Sequence, residues 1–370
     1  MKTLKLTLLM LLAFVLCGFA KNPDPTDLKA NFVKGNPEIK AISALTFGPE
    51  NILFIGDATS AEVMAIDVSE EVSAQSGEVN LSKVDETLAM QMGTTADQIE
   101  ITDMAVHPET KQIFLSVQHS SGNSMLFKLN GEKFMNVPLT DVMYSKQGLA
   151  DAIAEDAEDR RGRPMRKWAI SDIQYTDGKI MLTGLSNKEF GSTFRSMPFP
   201  FTEDQSYASL EIYHAAHGQY ETHAPVKTFM PITLNGKPHV IASYTCTPLV
   251  VFPMDELKSG EHTKGKTVAE LGNWNTPLDI IELQKDGERY VFMANSSRAL
   301  MKFKVKDIET FNDYLTTKVE ERSGTDGVPF IALPFVNVLQ LDKVGDDAFV
   351  MLQRTSDGDL VLKSSGGRWL

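Results

Sequence analysis

The chain reads as all-β: a single β-propeller of six blades, with short helical insertions between blades. Three observations predict this. Short apolar runs with strand-like alternation recur along the whole length, divided by Gly, Asn and Asp turns, and few segments show a helical period. One unit, an inner strand followed by a turn and a second apolar strand, appears six times at intervals of 51 to 69 residues. The two ends of the chain also complement each other, as described below.

Residues 1–20 carry Lys2 and Lys5, then the apolar run LTLLMLLAFVLC, then the small residues of Gly18-Phe19-Ala20. These are the parts of a secretory signal cleaved after Ala20, which leaves 21–370 as the propeller domain in the periplasm or outside the cell. The run is short for a membrane anchor, and no later segment is long and apolar enough to span a bilayer. Loss of Lys2 and Lys5 takes the formal charge of −13 to −15. An acidic surface of that size repels nucleic acid, which is excluded as a partner. Cys246 is then the lone cysteine, so no internal disulfide is available.

The repeats are AISALTFGPENILFIG (41–56), EITDMAVHPETKQIFLSV (100–117) and AISDIQYTDGKIMLTG (169–184). They return as KTFMPITLNGKPHVIAS (227–243), TPLDIIELQKDGERYVFMA (276–294) and PFVNVLQLDKVGDDAFVML (334–352). Their alignment sets Ser43, Asp103, Asp172, Thr228, Asp279 and Asn337 in equivalent places. After Asn337 there is room for only three strands, and LKANFVKG (28–35) is the expected fourth strand of the last blade. Closure of that kind leaves no unpaired sheet edge. Residues 83–100 and 144–167 break the strand rhythm and are expected to be helical or irregular, as is a third insertion at 307–326.

In such a ring, the loops entering inner strands and leaving second strands open on one face. That face is expected to gather His119, His214, His217, His223, Cys246, Trp274, Arg298 and Arg354. His214, His217 and His223 fall within ten residues, with Cys246 leaving the next second strand. Imidazoles plus a thiolate form a ligand set for zinc or copper, so these four are the candidate metal ligands. His119 is a candidate ligand or proton carrier. Asp103, Asp172 and Asp279 are expected around the channel mouth, where converging carboxylates serve as acid and base or, less readily, hold calcium. Arg298 is the candidate cation for orienting a substrate carboxylate.

In its strand–turn(Gly/Asp)–strand units the chain resembles six-bladed propellers of the NHL and gluconolactonase-like kind. That resemblance implies a divalent metal held by one Glu, Asn side chains and an Asp; here Ser43 stands where an acid is implied. There is no GxSxG elbow, glycine-rich phosphate loop, HExxH or CxxCH, which sets aside serine hydrolysis, nucleotide use and covalent haem. The function expected is an exported propeller with a loop-face ligand or metal site, supporting metal-assisted hydrolysis or oxidation of a small polar substrate. The alternative is a non-catalytic propeller that binds a protein or a glycan.

Overall fold

Second strands such as Ile52–Asp57 and Lys179–Leu185 are nearly unbroken apolar runs because both of their faces are covered by neighbouring sheets. The computed structural model describes residues 27–75, 77–321 and 323–370, so the expected leader at 1–20 lies outside the described residues. Six sheets are arranged about one axis as a six-bladed propeller. In chain order their inner strands are Ala44–Phe47, Ile99–Val106, Asp172–Thr176, Val226–Leu234, Pro277–Lys285 and Val338–Lys343. Among the described residues no helix is long and apolar enough to cross a membrane.

The blades do not follow one another round the ring in chain order. The inner strand of blade 1 contacts those of blades 2 and 3, and the inner strand of blade 2 contacts that of blade 6. The circuit is therefore 1, 3, 4, 5, 6, 2 and back to 1. Six apolar clusters, one per seam, repeat this order. One joins Leu45 and Ile55 to Phe114 and Leu126 between blades 1 and 2, and another joins Leu115 and Phe127 to Val350 and Leu362 between blades 2 and 6.

Two segments make the detour possible. Leaving blade 1, the chain contributes Asn80–Leu81 as the outer strand of blade 6, then the helix Val84–Gln91, whose Leu88 is buried in the seam between blades 2 and 6. After blade 2 it returns as Val142–Gly148, which pairs with Glu62–Asp67 on the outer side of blade 1. The expectation that 28–35 completes the last blade is thus corrected. Val33–Gly35 pairs with Val142–Gly148 at the rim of blade 1, and Asn80–Leu81 is the strand that pairs with blade 6. Residues 144–148 are likewise strand rather than helical or irregular.

Close approach within blade 3 demands glycine. A Cβ on Gly184 would stand 2.8 Å from the carbonyl carbon of Ala169, in the backbone that enters the inner strand of the same blade. Gly184→Ala is expected to destabilise by about 1–3 kcal/mol through this overpacking, read as a lower melting temperature.

Candidate functional site

Two places on the propeller concentrate ionisable side chains: the axial channel and a cleft on the upper rim between blades 3 and 4.

In the channel, four inner strands carry an aspartate that uses both oxygens in the same way. One oxygen accepts the next residue's N–H (Met104 at 2.8 Å from Asp103, Ile173 at 2.7 Å from Asp172, Ile280 at 2.8 Å from Asp279, Lys343 at 2.6 Å from Asp342). The other accepts a backbone N–H from the following blade: Leu45 for Asp103, Phe229 for Asp172, Leu341 for Asp279 and Val106 for Asp342. All four reach in one direction round the ring. They are interblade staples first. β-Bulges at Thr102, Lys227, Leu278 and Leu339 tilt the strand tops. The register therefore makes Gln340, not Asn337, the equivalent of Asp103 and Asp279 in blade 6.

Asp103, Asp172 and Asp279 meet at a constriction of about 20 Å³, between an upper vestibule of about 280 Å³ and a lower one of about 660 Å³. Burial, then the charge of Asp172, pushes the Asp103 carboxyl up to about 7. Burial pushes Asp172 and Asp342 up to about 6. Asp279 is raised well above its ordinary range by burial and by Asp103. Each of the four residues keeps partial exposure to the channel, which tempers the penalty. A carboxyl whose folded value exceeds 3.8 supports folding most below that pH and loses its contribution as pH rises through 6 to 7. The melting temperature is therefore expected to fall from about pH 5 to about pH 7.5, and Asp103→Asn to flatten that slope.

The rim site starts from an ordinary hairpin. Ser206–His214, the fourth strand of blade 3, buries alternate residues Ala208, Leu210, Ile212 and His214. His214 thus occupies a core position. A tight turn follows, with Gly218 at φ 70 donating its N–H to the His214 carbonyl at 2.8 Å, and the chain returns as Gln219–Glu221. Because Ile212 pairs with Glu221 and His214 with Gln219, Glu221 shares the face of His214. Its carboxylate takes His214 Nδ1 at 3.0 Å, His217 Nδ1 at 2.6 Å and Gln219 Nε2 at 3.2 Å. Burial alone would raise the Glu221 carboxyl, but the hydrogen bonds from His214, His217 and Gln219 hold it at about 2.

Glu270 closes the site from the outer strand of blade 4. It is 1% exposed; one oxygen accepts Thr247 Oγ1 and the Leu271 N–H, and the other accepts the Ala216 N–H at 3.1 Å. That second oxygen stands 3.8 Å from His214 Nε2, a buried nitrogen with no hydrogen-bond partner among the described residues. One ligand atom from each of His214, His217 and Glu221 lies within 4.8 Å of the others, a group able to hold a metal ion. Above it opens a cleft of about 750 Å³ walled by His217, Gln219, Cys246, Trp274, Arg161 and Lys318, among others.

The expected ligands divide. His214 and His217 come together as anticipated; His223 is exposed and outside the group. Cys246 lies on the same cleft with its residue exposed to solvent while its sulfur is partly covered; that covering, then the charges of Glu221 and Glu270, raises its thiol and favours SH over thiolate. The acids that complete the site, Glu221 and Glu270, were not singled out in sequence. His119 sits in blade 2, on the far side of the ring from blade 4, hydrogen-bonded to Thr94 and Ser121. It ends the second strand of blade 2 and is not a neighbour of the histidine pair. Arg298 donates to the Ser323 carbonyl at 2.8 Å and packs against Gly272, away from the channel acids.

No protein-family model and no curated protein matches the chain. Among solved structures it is similar to Plexin A of Drosophila in complex with Semaphorin 1b (9% identity, 90% of this chain and 86% of that one, TM-score 0.39). It is also similar to a streptogramin B lyase (9%, 90% and 86%, TM-score 0.36) and to a glucose-dehydrogenase-type oxidoreductase of Thermus thermophilus (11%, 90% and 99%, TM-score 0.34). At such values these likenesses carry nothing about the reaction, and the site must be read from its own residues.

Proposed function

We propose that this exported propeller binds one divalent transition-metal ion through His214, His217 and Glu221 and presents it to a small polar ligand in the rim cleft. The observation that supports this most is the orphaned Nε2 of buried His214 facing Glu270. While Nδ1–H serves Glu221, the other ring nitrogen turns a lone pair toward a carboxylate. A metal on Nδ1 reverses this, because the proton then resides on Nε2 and points at Glu270. A ligating imidazole backed by a carboxylate is the usual way a metal-bound histidine is oriented.

The donor set is nitrogen and oxygen, with the Cys246 thiol raised by the covering of its sulfur and then by its acidic neighbours. That favours zinc over a soft-ligated copper. Around a zinc ion with bonds of about 2.0–2.1 Å, the 2.6 and 3.0 Å contacts of Glu221 need open only slightly. Zinc would lower the pKa of a bound water toward about 7 and so favour hydrolysis over oxidation as the reaction.

A second reading has its own support: His214, held between Glu221 and Glu270, is a structural tie of the turn without metal, leaving a cleft that only binds. Equilibrium dialysis of untagged protein against zinc separates the two. One ion per chain is expected, with His217→Ala weakening binding at least about a hundredfold at little cost in stability, since His217 is half exposed. Substoichiometric zinc in the parent protein would leave the binding-only reading.

A further inference from the structure

One wall of the cleft is built around an anomaly. Trp274 is 88% exposed, the most exposed of the large apolar side chains, and its backbone lies at φ 64. A bulky residue in the left-handed region is strained, and strain of this kind is retained where the surroundings enforce it. They do so here. The neighbouring Asn275 is 2% exposed, donates to Asn295 Oδ1 at 2.8 Å and accepts the Ser297 N–H at 3.3 Å. On the adjoining segment, buried β-branched Thr247 sits at φ 89 beside the cleft residue Cys246, its hydroxyl on Glu270. Two enforced conformations thus frame one opening, and one of them presents an indole ring to water.

The polar lining indicates what that ring is for. Arg161 and Lys318 stand on the same cleft, and among the described residues neither side-chain cation has a hydrogen-bond or ion-pair partner. The Lys318 stem is braced on the turn, where a Cβ at Gly218 would meet Lys318 Cβ at 3.0 Å. Gln219 and Asn273 add uncharged donors and acceptors, and Glu320 is the acid of the lining. A flat apolar platform, two free cations and amides suit a ring with one apolar C–H face, hydroxyls on its edge and a carboxylate. About 750 Å³ is within the range of sites for ligands larger than a single sugar.

We infer that the cleft recognises an acidic sugar, a uronate at the end or within a short glycan. Its ring stacks on Trp274, its carboxylate pairs with Arg161 and Lys318, and its hydroxyl edge faces Gln219 and Asn273. The inference rests on the proposed rim site as the place of binding, but its recognition elements are not the metal ligands, so the two can fail separately.

Calorimetry at neutral pH with trigalacturonate and with neutral galactotriose tests it, using zinc-loaded protein and protein treated with a chelator. The acidic trimer is expected to bind at least about tenfold more tightly than the neutral one. Trp274→Ala should weaken it by about tenfold or more, and Arg161→Ala with Lys318→Ala should erase the acidic preference, while both variants keep the parental melting temperature and zinc stoichiometry. Selective uronate binding in a protein that takes no zinc would uphold this inference and overturn the proposed metal. Zinc binding with no uronate binding, or with equal affinity for both trimers, would overturn the inference and leave the metal site standing.

Discussion

Glu221→Ala is expected to abolish zinc binding and to cost about 3–5 kcal/mol of folding stability. The carboxylate is buried and serves His214, His217 and Gln219 at once, so its removal strands a buried imidazole beside Glu270. Glu221→Gln separates the two effects. The amide keeps one acceptor and most of the packing but loses the charge, so zinc affinity should fall by about a hundredfold or more while much of the stability survives. Thermal melts and zinc titrations on the same preparations check both. If Glu221→Gln bound zinc as the parent does, Glu221 would be a structural acid only.

The second large effect concerns the ring order. Leu88→Asp is expected to cost at least about 4 kcal/mol, because it places an unpaired charge in the seam where blade 2 meets blade 6. Val33→Pro supplies the contrast. Val33 is 56% exposed at the outer edge of blade 1, so its replacement should shift the melting temperature by no more than about 2–4 °C. A chain closed by 28–35 would give the reverse pattern, with Val33→Pro the damaging change. Melting curves of the two variants, with limited proteolysis to locate the first opening, decide the matter.

Much of the architecture was legible because each second strand is covered on both faces and must be apolar, and those six runs recur at a readable interval. The order of the blades was not. The outer strand Val142–Gly148 buries Ser145 and Gln147, polar side chains where alternation would show apolar ones, so it reads as a loop. The other connecting strand, Asn80–Leu81, is only two residues long. Neither leaves a periodic trace.

The rim site was half legible. The density of histidines marked His214 and His217, whereas acids are too common for Glu221 to stand out. Its partnership with His214 exists only because the turn at 215–218 folds Glu221 opposite Ile212; reading HAAHGQYE as strand, turn and strand would have found it. Glu270 comes from another blade and reaches the site through the fold alone. The channel acids were correctly gathered about one axis, but their shared hydrogen-bond pattern, and the membership of Asp342, emerged only from the register between blades.

The proposed metal centre consists of two imidazoles and a carboxylate on the upper rim. X-ray absorption at the zinc edge, on untagged protein loaded with one equivalent and then desalted, tests it most directly. A first shell of nitrogen and oxygen at about 2.0–2.1 Å with the scattering of two imidazoles is predicted, lost in His214→Ala. A desalted protein without zinc, or a shell with sulfur at about 2.3 Å from Cys246, would contradict it.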